Sequence, residues 1–207
     1  MNTAIFYDSE TTGLPAFSEP SEHPGQPHIV QLAAVLADLD TERTIASMDV
    51  IIRPDGWAIP DEVSAIHGIT TEHAMDVGIP EAMAVDMFMS LWAGRLRIAH
   101  NESFDARIIR IAQHRFPDTF PEPQCDYWKN GTSACTAKMA TPILNLPPTE
   151  KMLAVGRKHA KTANLGEAYQ YFAGKPMENA HSAMADVQAC MFIYFAMRKA
   201  AKIAEAA

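Results

Sequence analysis

Near its start the chain runs Ala4-Ile5-Phe6-Tyr7 and then straight into Asp8-Ser9-Glu10. A short apolar run of this kind reads as a buried strand, and a buried strand requires a sheet covered by other elements. Two carboxylates at the mouth of such a strand are costly unless something positive pairs them. Side chains at i and i+2 of an extended chain point the same way, so Asp8 and Glu10 can face one spot. Hard oxygen ligands of this type suit Mg²⁺ or Mn²⁺. The plainer alternative is a strand that ends in a polar turn, Thr11-Thr12-Gly13-Leu14. Gly13 would allow close backbone approach there, and Leu14 could pack against a flat ligand.

Later segments supply partners for that strand. Residues 15–27 contain Pro15, Pro20, Pro24, Gly25 and Pro27 and read as a loop, longer than most connections and so functional or mobile. Residues 28–38 and 43–53 read as two strands of a hairpin, giving a three-stranded antiparallel meander with the first strand. A short helix is expected over 60–66, stopped at His67-Gly68. An amphipathic helix with proline at its first position is expected over 80–92. Residues 96–99 read as a short strand and 103–115 as a helix with Phe104, Ile108, Ile109 and Ile111 near one face. Residues 116–132, with Pro117, Pro121 and Pro123, read mostly as loop. Helices are expected at 133–144, 163–172 and 182–203. Strands first, then helices alternating with strands, fit an α/β fold with a mixed sheet flanked by helices.

The 207 residues suffice for one domain with a sizeable core and are few for two. No apolar stretch approaches the roughly 18 residues of a membrane span. The N-terminus lacks the basic region of a signal peptide. Cys125, Cys135 and Cys190 show no CxxC spacing, which suggests neither a zinc site nor a disulfide framework. An intracellular, cytoplasmic protein is expected. The net charge of −8 argues against broad duplex binding, which needs Lys and Arg on phosphates. It leaves room for clustered carboxylates whose local field is reversed by bound cations.

Two further segments carry chemistry. In His100-Asn101-Glu102-Ser103-Phe104-Asp105 a strand passes into a helix. Asp105 there is either a functional acid or a first-turn acid favoured by the helix dipole. In His181-Ser182-Ala183-Met184-Ala185-Asp186, Ser182 can cap the last helix, with His181 in the approach loop and Asp186 one turn inside. The alternative for His181 is an exposed loop histidine.

Taken in order, the three segments resemble the DEDDh (DnaQ-like) exonucleases of RNase H-like fold. That superfamily includes the proofreading subunit of bacterial DNA polymerase III, RNase T, oligoribonuclease and mammalian repair exonucleases. Phe6 to Leu14 match its first motif, and His100-Asn101 with Phe104-Asp105 match the second. His181, five positions before Asp186, matches the histidine branch of the third. Ile29 to Val35 look like its second strand, and Ile66-His67-Gly68-Ile69-Thr70 like its His-Gly-Ile turn. Together these cover about residues 4 to 198. The chain departs from the pattern in its long loop after Leu14, in Cys135-Thr136 where an Asp-Thr pair is usual, and in residues 116–132.

The resemblance implies one 3′–5′ exonuclease domain over 1–207, with a five-stranded sheet of a meander plus two parallel strands. It implies two Mg²⁺ (or Mn²⁺) ions on Asp8, Glu10, Asp105 and Asp186, with His181 as general base. An imidazole, which changes charge near neutral pH, suits that task. Thr11, Gly13, Leu14, His67, Asn101 and Phe104 would hold the terminal nucleotide of a single-stranded or frayed DNA or RNA 3′ end. Phe104 could equally be core. A homodimer is open, as is a polymerase partner. A proofreading subunit would carry a further C-terminal docking segment, and the chain ends soon after its last helix, which favours a stand-alone enzyme. A non-catalytic nucleic-acid-binding module on the same fold would have no use for the intact acids. A small-molecule phosphatase fits the first motif poorly.

Overall fold

The computed structural model describes residues 2–178 and 181–205. Strands β1 (Thr3–Thr11), β2 (Ile29–Asp38) and β3 (Thr44–Ile51) come first. Helices α1 (Asp61–His67), α2 (Thr71–Val77) and α3 (Glu81–Trp92) follow, then β4 (Leu96–Ala99), α4 (Glu102–Arg115), α5 (Glu122–Lys129) and β5 (Ser133–Cys135). Helices α6 (Thr136–Leu144), α7 (Glu150–Ala154), α8 (Leu165–Ala173) and α9 (Ala183–Glu205) complete the chain. The sheet order is β3-β2-β1-β4-β5. β1, β2 and β3 pair antiparallel, whereas β4 runs parallel to β1 and β5 parallel to β4. This is the expected α/β architecture.

β1 is central and buried on both faces, as its apolar run requires. Ile5 and Tyr7 point into a core with Phe88 of α3, Ile108 and Ile109 of α4 and Trp128 of α5. Ala4 and Phe6 point the other way, onto Val187, Cys190, Tyr194 and Phe195 of α9. Every residue of this strand is therefore assigned to one helical layer or the other by the two-residue period.

Several expectations shift. Pro80 is not the first residue of α3 but stands just before it, with extended ψ of 139°. Residues 116–132 are not mostly loop, because α5 lies within them. Pro121 precedes that helix and Pro123 sits in its first turn, where a missing N–H leaves no hydrogen bond unmade. Both prolines read as breakers, and both are compatible with a helix start. The helix expected from 133 begins at Thr136 instead. Ser133-Ala134-Cys135 has little strand character of its own and is a strand because β4 pairs with it, Arg97 to Ser133 and Ala99 to Cys135. Nothing in the sequence pattern announces helices α2 and α7.

Candidate active site

β1 pairs with β4 only as far as Phe6 opposite Ile98, while its pairing with β2 continues to Thr11. Residues 7–11 therefore project past the carboxyl ends of the parallel strands. Crevices at that end are where open α/β sheets hold ligands. The starts of α4 and α9 arrive at the same place.

The two-residue period continues through the acids. Ser9 faces the α4 layer, where its amide and hydroxyl both donate to Asp105 Oδ1, at 3.1 and 2.7 Å. Asp105 is only 2% exposed. Burial pushes its carboxyl up to about 7 even though the Ser9 bonds pull the other way. Beneath it lies a buried polar network. Glu102 Oε1 accepts from Arg97 Nε at 2.7 Å and from the Tyr7 hydroxyl at 3.2 Å. Arg97 also donates to the Trp128 carbonyl and lies over the Trp128 ring.

Glu10 faces α9. One ligand atom each from Glu10, His181 and Asp186 lie within 4.8 Å of one another. Burial, then the charge of Asp186, raises Glu10 to about 7. Burial raises Asp186 to about 6, with His181 acting against it. Asp186 Oδ1 is buried and has no hydrogen-bond partner. Its amide donates to the Ser182 carbonyl, which starts the helix. His181 is exposed and takes a left-handed φ of 70°.

Asp8 links the two sides. Burial first, then Asp105, Asp186 and Glu10, hold its carboxyl well above the usual range. Among the described residues no basic side chain forms an ion pair with any of the four acids. Such a set of unpaired, partly desolvated oxygens is what a hard divalent cation requires. The donor chemistry thus fits Mg²⁺ or Mn²⁺.

The residues expected around a nucleotide differ in exposure. Leu14 is 78% exposed, whereas Phe104 is half-buried against the core. Thr11 turns inward and donates to the Gly13 carbonyl at 2.8 Å. Gly13, at φ 155°, adopts backbone that L residues rarely take. His67, the last residue of α1, accepts from the Ile69 amide through Nδ1, while Nε2 is buried and unpartnered. Burial and the nearness of His181 keep His67 neutral to lower pH than usual. Asn101 is exposed with a left-handed φ of 68°, and its carbonyl accepts from the Phe104 amide.

Three residues lie within motifs read from the sequence, but their positioning contacts are not legible there. Ser9 lies between the two acids, and only strand alternation hints that it must face elsewhere. Gln31, opposite Glu10 in β2, accepts from the Ala183 amide at the start of α9 and donates to Asp49. His100 is clamped between the Thr136 hydroxyl and the Ala163 carbonyl, each at 3.0 Å, which fixes the β4–α4 turn.

Comparison with known proteins places this geometry. Residues 5–194 match the family described as RNase_T, exonuclease. Escherichia coli exonuclease I in complex with a dT13 oligonucleotide superposes with a TM-score of 0.69 at 22% identity, over 94% of this chain and 40% of that one. The zinc-bound form of the E. coli exonuclease I–ssDNA complex gives 0.66 at 22% identity, over 96% and 41%. A bifunctional exonuclease/endonuclease protein of Mycobacterium tuberculosis is 27% identical over 165 residues, 78% of this chain but 23% of that protein. The chain therefore spans less than half the length of the relatives it matches. The match over nearly its whole length shows that it belongs to the RNase_T exonuclease family, within the DEDDh (DnaQ-like) superfamily of RNase H-like fold.

Proposed function

We propose that this chain is a metal-dependent 3′–5′ exonuclease, acting as one catalytic domain, that releases nucleoside 5′-monophosphates from single-stranded or frayed ends. What carries the proposal is the meeting of four carboxylates that have no basic partner among the described residues, from β1, α4 and α9, with His181 just before α9 and an orphaned oxygen on Asp186. Asp8, in electrostatic reach of the other three acids, would hold two Mg²⁺ or Mn²⁺ ions, with Glu10 and Asp186 completing one site and Asp105 serving the other. When bound, such ions stabilise the charge on the attacking and leaving oxygens of an in-line displacement. His181 takes the proton from the attacking water, and the leaving 3′ oxygen ends as the hydroxyl of the shortened strand.

Leu14 and Phe104 would sandwich terminal bases, contacts indifferent to sequence. Gly13 and Thr11 shape the turn beneath them, and Asn101 and the free Nε2 of His67 offer polar contacts. A paired terminus has to open to enter, so frayed and single-stranded ends are preferred.

The test is cleavage of matched DNA and RNA oligonucleotides, single- and double-stranded, labelled at either end, with Mg²⁺ and with EDTA. Stepwise shortening of the 5′-labelled strand, with 5′-mononucleotides released from the 3′-labelled one and nothing in EDTA, is expected. Cleavage that survives EDTA, or that starts from 5′ ends, overturns the proposal. Retention of the strand without cleavage, unchanged by EDTA, points to a binding module instead.

A further inference from the structure

The long loop after Leu14 is a built object. Gln26 is 3% exposed, and its side chain accepts from the Ala16 amide and donates to the carbonyls of Ala16 and Pro20. Three arginines of α4 grip the loop from outside. Arg107 Nη2 donates to the carbonyls of Ala16 (3.0 Å) and Glu19 (2.6 Å). Arg110 Nε donates to Ser21 Oγ at 3.0 Å, and Arg115 Nη2 to the carbonyls of Gln26 and Pro27. A loop closed by so many polar bonds has no need of an apolar lid. Yet it carries Phe17 65% exposed, with the Arg107 guanidinium 5.6 Å from the ring centroid.

The location gives this pairing its meaning. Leu14 lies three residues before Phe17. Arg107 lies two residues beyond Asp105 and one turn beyond Phe104 on α4. Through Arg107, Phe17 is therefore tied to the helix that carries Phe104 and Asp105. Arg107 forms no ion pair among the described residues, so no carboxylate competes for it beside Phe17. An exposed ring on an ordered loop, with a cation over its face, is the chemistry that holds single-stranded nucleic acid.

We propose that Phe17, seated on Arg107, stacks the base of a nucleotide upstream of the one being removed, while Arg107 attracts the adjoining phosphate. This rests on the exonuclease reading and adds to it a second base site, on the loop that departs from the family pattern. Being exposed, Phe17 can be replaced at little cost to folding.

The experiment compares two substrates: the p-nitrophenyl ester of thymidine 5′-monophosphate, which has no upstream base, and a single-stranded DNA of about ten nucleotides. In Phe17→Ala, kcat/KM on the oligonucleotide should fall relative to that on the ester by at least about fivefold, the lower range of one base–aromatic stack. The loss should appear in KM, and Phe17→Trp should restore it. An unchanged ratio between the substrates, or a Trp variant no better than Ala, overturns the second base site while leaving the exonuclease reading intact. A wild type that cleaves neither substrate removes both.

Discussion

The two walls of the acid cluster carry like charges in unlike surroundings. On the α4 wall, Asp105 is almost wholly buried, takes two hydrogen bonds from Ser9 and rests on the Glu102–Arg97–Tyr7 network. On the α9 wall, Asp186 keeps an unpartnered oxygen and His181 stands exposed in a left-handed turn. Around Asp105 the α4 wall has its polar contacts in place, from Ser9 through Glu102 to Arg97 and Tyr7. The α9 wall is complete only when something positive enters. One wall serves as foundation and the other as the working face, with Asp8 on the seam.

That contrast can be broken by substitution, beginning with the seam. Asp8→Asn should lower nucleotide release by about a thousandfold or more, since it removes the group proposed to serve both ions. Its melting temperature in EDTA should hold or rise, because the carboxylate repels its three neighbours. A fall would show that Asp8 supports the fold. His181→Ala should cost about 10²- to 10⁴-fold in rate, as loss of a general base does, with no change in melting temperature. Wild-type rates would remove His181 from the chemistry. Glu102→Ala, on the foundation side, should act on stability first. It leaves Arg97 buried without its partner, at about 3–5 kcal/mol by urea titration. An unfolding free energy within about 0.5 kcal/mol of wild type would mean that the α4 wall is no foundation.

The working face is far more legible in the sequence than the foundation. Strand alternation puts Asp8 and Glu10 on one side, but the roles expected of them and of His181 and Asp186 come from the ordered set of motifs that resembles a family. The meander and the strand at 96–99 are legible as elements, whereas the fifth strand comes only with the family resemblance. The foundation depends on long-range partners. Ser9 meets Asp105 across 96 positions, and Gln31 meets Ala183 across 152. Nothing local marks a serine or glutamine for such work. α5 is hidden by two prolines at its start, and β5 by having only three residues. The loop over 15–27 is legible as loop, but its order comes from α4 arginines some 90 positions away.

The smallest effect separates the walls by proton binding rather than by mutation. Burial raises Glu10 and Asp105 to about 7 and Asp186 to about 6, and raises Asp8 as well. Unfolded carboxylates titrate near about 4. Between those values the folded chain binds more protons than the unfolded one, so stability must fall as pH rises. The stabilisation is complete below about pH 4 and is lost as pH passes about 7. His67 opposes this only on the acid side, because it is kept neutral when folded. In EDTA the melting temperature should therefore drop by a few degrees between pH 5 and pH 8. Mg²⁺ or Mn²⁺ should raise it more at pH 8 than at pH 5, because the ion binds the deprotonated acids and only the folded chain assembles them. The wild-type slope should shrink in Asp186→Asn, which removes the orphaned carboxylate of the working face. A melting temperature flat across this range in EDTA, or an ion effect equal at both pH values, would mean that the four acids are not held together against their own repulsion.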